Sequence, residues 1–183
     1  MNKENILIRT GIISAIICAS IAVWMKFGFT NIFSVFLPSI IISFGIVWTI
    51  RNHLWKMPVF KYFLGNVPNL NGRWKVKTLR HGDKESHNMD VEIIQRWDNI
   101  TLHFDGDRVI SNSTLTCLEK EKNCFRLEYM WTGRFKQEYT HKGDLDGAAI
   151  VRCNEDASQL TGKYWTYAEN NSTIGSMEFI RNK

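Results

Sequence analysis

Proline is absent from the last 115 of the chain's 183 residues: Pro38, Pro58 and Pro68 all lie before residue 69. Nothing downstream therefore removes a backbone N–H from a β-ladder, and a long series of paired strands can run uninterrupted. Acidic residues are missing from the other end. Glu4 stands alone before residue 69 against six basic residues, and no charge of either sign occurs in Thr10–Met25 or Asn31–Ile50. The 17 basic residues that follow are matched by 17 acidic ones, so the net charge of +5 belongs entirely to the N-terminal third. A basic nucleic-acid-binding domain is thereby excluded on bulk charge, and neither DNA nor RNA is expected as a partner.

Cysteine is sparse. Cys18 lies in an apolar segment, leaving Cys117, Cys124 and Cys153, an odd number, downstream. No Cys-x-x-Cys pair or Cys/His spacing marks a zinc site. Cys117 and Cys124 could meet across a hairpin as a disulfide; free thiols in a reducing compartment are the other reading. Catalytic signatures are also lacking. There is no Gly-rich phosphate loop opening a helix, no G-x-S-x-G elbow and no His/Glu metal pair at helical spacing. His53, His81, His87, His103 and His141 are scattered. The expectation is a protein that is not an enzyme, with no catalytic residues, no metal and no cofactor.

Two long apolar runs open the chain. Ile6–Met25 and Ile32–Ile50 each approach the ~20 residues that span a hydrocarbon core about 30 Å thick. A kink at Pro38 is compatible with a membrane helix, and Trp24 and Trp48 sit near segment ends, as interfacial anchors do. A cleaved signal peptide is the competing reading of the first run, but its apolar stretch is long for one and a second run follows at once. The link Lys26–Asn31 has room only for a tight turn, which predicts an antiparallel transmembrane hairpin over residues 1–50. Lys3 and Arg9 flank one side of the first helix, Arg51, Lys56 and Lys61 follow the second, and only Lys26 is in the turn between them. The positive-inside rule places both termini in the cytoplasm. Residues 51–68 form a connector that either lies on anionic headgroups or covers the following domain.

From residue 69 onward, apolar residues recur at period two between turn signals. Strands are predicted at Gly72–Arg80, His87–Trp97, Ile100–Asp105, Val109–Leu118, Cys124–Trp131, Phe135–His141, Asp144–Asn154, Gln159–Ala168 and Thr173–Arg181. Consecutive strands with short turns make an up-and-down meander, and closure removes its edges. The expected fold is all-β with an N-terminal α-hairpin: a small, lipocalin-like, eight-stranded antiparallel β-barrel over 69–183. Such a barrel either fills its interior or holds one small ligand. The inward faces mix aliphatics with Gln95 and several polar and aromatic residues. Candidate ligand contacts are Thr78, Trp97, Tyr129, Trp131, Arg134, Tyr164 and Thr166, since aromatics stack on planar bases and arginine pairs with phosphate. Each has a plainer alternative: Tyr164 and Trp131 as core or rim packing, Arg134 as a solvated turn residue. Trp74 reads as a plug for the barrel floor.

The two spans, the barrel, and the motifs L-N-G-R-W at Leu70–Trp74 and L-T-G-K-Y at Leu160–Tyr164 resemble a known family. It is the two-transmembrane, β-strand-rich effector class of bacterial CBASS antiphage systems. The resemblance implies a barrel that binds a cyclic dinucleotide made by a partner nucleotidyltransferase, then self-associates through barrel and hairpin. The hairpins would disrupt the lipid bilayer of the inner membrane, killing the infected cell. It maps no binding residue one by one onto this chain. Two other readings stay open on the residues alone: a membrane-tethered carrier of an apolar ligand, and an assembly module with a filled barrel.

Overall fold

In every strand of this protein one side chain in two faces a shared interior, and that alternation positions everything that follows. The computed structural model describes residue 14 and residues 32–59, 66–122, 124–136, 144–153, 156–167 and 172–182, without the side chains of 32–40. The chain divides into two compact units, Met1–Val67 with Arg96–Asp98, and Pro68–Gln95 with Asn99–Lys183.

In the first unit, helix α1 runs over Ile32–Asn52 and carries one charged residue, Arg51, in its last turn. It begins where the second apolar run begins. No helix among the described residues is long and apolar enough to cross a membrane. The first span of the expected hairpin lies outside the described residues apart from Ser14. A short 3-10 turn at Leu54–Lys56 follows α1 and buries Trp55.

The second unit is a closed barrel of eight antiparallel strands in sequential order. They are β1 (Gly72–Arg80), β2 (His87–Gln95), β3 (Ile100–Gly106), β4 (Val109–Glu121), β5 (Cys124–Phe135), β6 (Asp144–Cys153), β7 (Gln159–Tyr167) and β8 (Thr173–Arg181). Closure comes from β1 pairing with β8, from Trp74 opposite Arg181 to Arg80 opposite Gly175. The expected strand at Phe135–His141 is not a separate element in what is described. β5 simply continues to Phe135, and residues 137–143 lie outside the described residues. Cys117 and Cys124 do not face each other: Cys117 is opposite Glu128 and Cys124 opposite Glu121. Neither is in a disulfide, nor is buried Cys153.

One half of the interior is filled solidly. Trp74, Val76, Val91, Ile93, Leu102, Leu127, Val151, Leu160 and Phe179 are almost fully buried there. The entering chain seals this end. Trp74 Nε1 donates to the Leu70 carbonyl at 2.9 Å, and Arg181 stacks over the indole while donating to the carbonyls of Asn69 and Asn71 at 2.6 and 3.0 Å. Truncating a buried tryptophan of this kind to alanine costs about 3–5 kcal/mol. Buried Gln95 completes the seal, accepting from the Leu70 N–H at 2.6 Å and donating to the Pro68 carbonyl at 3.0 Å. Its polarity is thus consumed by the plug and is not offered to a ligand.

Candidate functional site

The opposite half of the barrel is hollow. Eight strands enclose an interior that large side chains can just fill, so a cavity requires small residues on the inner face. They occur toward this end: Ser111 on β4, Gly133 on β5, Gly147 and Ala149 on β6 and Gly175 on β8. The result is an open cavity of about 350 Å³ to which all eight strands contribute. That volume falls within the ~300–1,000 Å³ typical of small-molecule sites.

Its floor is aromatic. Phe104 and buried Tyr129 stack with centroids 5.7 Å apart, Phe104 meets Phe179 edge-on at 6.2 Å, and the Tyr129 hydroxyl donates to Met177 Sδ at 3.3 Å. Its walls carry two more rings. Trp131 lies opposite Gly147 and its indole occupies the space a side chain there would take; Tyr164 does the same over Gly175. An aromatic ring covering a cross-strand glycine is a recurrent packing unit of antiparallel sheets. Here it holds two flat faces in place on the cavity wall. Burial raises the hydroxyl pKa of Tyr129, and of Tyr164, where Asp83 adds to the rise and Arg80 opposes it. Both phenols are therefore neutral at physiological pH and put no negative charge beside a bound anion.

Polar groups are few and placed around the rings. Thr78 is buried and its Oγ1 donates to the His87 carbonyl at 3.3 Å; Ser111 and Thr166 add hydroxyls, and Asn88 an amide. Arg108 and Asp107, in the β3–β4 turn, add one residue of each charge to the lining. No cluster of three or more His, Cys, Asp or Glu side chains among the described residues is arranged to hold a metal.

Five of the seven sequence-nominated residues meet at this cavity: Thr78, Tyr129, Trp131, Tyr164 and Thr166. Trp97 and Arg134 do not line it. Trp97 would continue the inward alternation of β2, but the strand stops at Gln95. There the Asn71 side chain takes both the Gln95 N–H, at 2.7 Å, and its carbonyl, at 2.9 Å. Trp97 consequently sits in the β2–β3 turn, at the other end of those strands, with its N–H donating to the Arg51 carbonyl. Arg134 is three residues past Trp131, an odd step, so it points to the outer face, opposite Ile110 and Asp144. Among the polar lining residues, Asn88, Arg108 and Ser111 were not nominated from the sequence. Arg108 follows the turn residues Asp105-Gly106-Asp107, and nothing within one strand distinguishes Ser111 from the polar residues around it.

Residues 65–181 match the family model described as Cap15, cyclic dinucleotide receptor domain. A Staphylococcus schleiferi protein described as CD-NTase-associated protein 15 is 28% identical over 156 residues, 84% of this chain and 82% of the relative. A Yersinia aleksiciae protein of the same description is 28% identical over 144 residues, 76% of this chain and 67% of that relative. The matched segment takes in all eight strands and every residue that lines the cavity. The chain belongs to the Cap15 cyclic dinucleotide receptor domain family.

Proposed function

We propose that the chain is a membrane-anchored CBASS effector whose barrel senses a cyclic dinucleotide in the open cavity. In this reading a base enters between the fixed rings of Trp131 and Tyr164 above the Phe104–Tyr129 floor. Ser111, Thr78 and Thr166 offer hydroxyls to its edge, and Arg108 meets a phosphate at the mouth. The observation that carries the reading is the mixed composition of that wall: aromatic rings, hydroxyls and Arg108 stand among the apolar Met89, Val109, Leu145 and Met177 around a cavity of about 350 Å³. An apolar carrier has no use for the hydroxyls or the arginine.

Ligand binding then favours a self-associated state, by no more than its differential affinity for that state. Residues 1–50 act as a two-span anchor in the bacterial inner membrane, 51–68 connect, and 69–183 form the cytoplasmic sensor. Assembly of the hairpins disrupts the bilayer and ends the infection with the cell. The two apolar runs, the basic flanks and the exposed Ile41, Ile42, Phe44 and Trp48 of α1 support the anchor. A hairpin with so short a loop encloses no pore alone, so any lesion needs several copies.

Calorimetric titration of the full chain in detergent with a panel of 2′- and 3′-linked cyclic dinucleotides tests the sensor. Saturable heat with at least one of them, and none with a fatty acid, is the expected result. Heat with the fatty acid alone would replace the sensor by a carrier.

A further inference from the structure

The outer surface of the barrel carries a row of apolar side chains that the cavity does not use. The strand registers place Leu115 beside Met130, Met130 beside Ala148, Ala148 beside Trp165, and Trp165 beside Ile174. The row crosses from β4 to β8 without a charged residue. Leu115, Met130, Trp165 and Ile174 remain 63%, 53%, 37% and 53% exposed. A solvated antiparallel sheet puts polar side chains on such a face, and the outer side of β1–β3 does so with Lys75, Lys77, Asp90, Glu92 and His103. A contiguous apolar patch of this kind on a soluble domain marks an interaction site. Because the barrel is closed, a partner cannot join by adding a strand to an edge. It must dock on the face.

We infer that this face receives a second copy of the chain, related by a two-fold axis that lies in the contact plane along β6. Charge placement selects that occupant. One row nearer the plugged end, Glu128 lies beside Ile150 and Ile150 beside Lys163. Glu128 on β5 and Lys163 on β7 thus flank β6 at equal distances. The two-fold brings Glu128 onto Lys163 of the partner subunit, and the reciprocal pair forms by symmetry. The same rotation lays Met130 on Trp165 of the partner subunit and Ala148 on its own copy. Ala148 is the smallest side chain of the row, so the axis passes through a shallow depression between two large residues. An apolar centre with tryptophan and methionine inside a charged rim is the anatomy of a protein interface. An anionic lipid surface would select a wholly basic rim, whereas this one is mixed: Glu128, which also meets Arg126 at 3.1 Å, and Asp146 accompany Lys163. The inference rests on the self-association proposed above and specifies where it occurs.

The test places one cysteine on the axis. In the full chain with Cys18, Cys117 and Cys124 replaced by serine, Ala148→Cys is oxidised in nanodiscs with and without a cyclic dinucleotide, beside Glu92→Cys on β2 as the off-face control. Sedimentation reports the size of the same samples. A covalent dimer from Ala148→Cys and none from Glu92→Cys is expected. Met130→Glu and Trp165→Glu should each lower its yield at least tenfold. Glu128→Lys and Lys163→Glu should each weaken it and together restore it. Assemblies that sediment as dimers or larger while Ala148→Cys stays uncrosslinked, or ignore Met130→Glu, would overturn this face and leave self-association standing. Ligand-saturated chain that sediments as a monomer would overturn both.

Discussion

Replacing Trp131 by alanine removes one of the two rings fixed on the cavity wall and uncovers Gly147 beneath it. Two costs follow, and they can be separated. The first falls on the fold. The half-buried indole gives up about 100 Å² of covered area, half of an aromatic side chain's ~150–250 Å². At ~25 cal/mol per Å² this is about 2.5 kcal/mol, an upper figure because unfolded chains already bury part of such surface. The second falls on the ligand. Stacking of a base on an aromatic side chain is worth about 1–3 kcal/mol, or roughly 5- to 150-fold in Kd. Urea melts of wild type and variant measure the first; calorimetry at a temperature where circular dichroism shows both folded measures the second. Trp131→Phe keeps a flat face and should recover most of the affinity. Trp97→Ala, at the other end of β2, should leave affinity unchanged. A folded Trp131→Ala protein that binds with wild-type affinity would refute the stacking role of this wall.

Gly175→Ala should distort the site from beneath: the added methyl falls 2.5 Å from the Leu79 carbonyl and on the Tyr164 ring. A loss of about 1–3 kcal/mol in stability is expected from such overpacking, with weaker ligand binding in the same titration. Gln95→Ala should do the reverse, costing about 1–3 kcal/mol for each orphaned buried partner at Pro68 and Leu70 while leaving the affinity of the folded fraction intact in calorimetry. The acid limb of stability should report Glu121, whose carboxyl pKa is lowered chiefly by its hydrogen bond from Arg152, with burial opposing and Cys124 and Arg126 adding to the fall. A lowered folded-state value means stabilisation that is complete above the ordinary carboxylate range and lost as pH falls through it toward the depressed value. Glu121→Gln should therefore flatten urea midpoints measured between pH 5 and pH 3, and an unchanged slope would remove Glu121 from the acid response.

Strands were legible because each has one buried face, so hydrophobic alternation carries their existence, their inward set and most of their limits. Trp74, Val76 and Thr78, or Phe125, Leu127 and Tyr129, point inward as period two requires. The ends were less legible because they depend on remote partners: β2 stops at Gln95 on account of Asn71, which no reading of β2 alone could reveal. The cavity was legible only as a polar and aromatic tendency of the interior. Its existence depends on small residues of several strands, Ser111, Gly133 and Ala149 among them, sharing the inner face, and its rings are held by cross-strand pairs such as Trp131 with Gly147. Register between strands is a property of the closed barrel, whereas Arg134 points outward because β5 and its alternation continue past Trp131 to Phe135.

A photoreactive cyclic dinucleotide offers the most direct measurement of where the ligand sits. With an azide on the base, irradiation of the full-length complex followed by peptide mass spectrometry reports the residues touching that base. Adducts are predicted at Tyr129 or Trp131 on β5, or at Tyr164 or Thr166 on β7, competed away by unmodified ligand. Competable adducts confined to the plugged end, around Trp74 and Gln95, or to the outer face at Met130 and Trp165, would contradict the placement of the sensor site in the open half of the barrel.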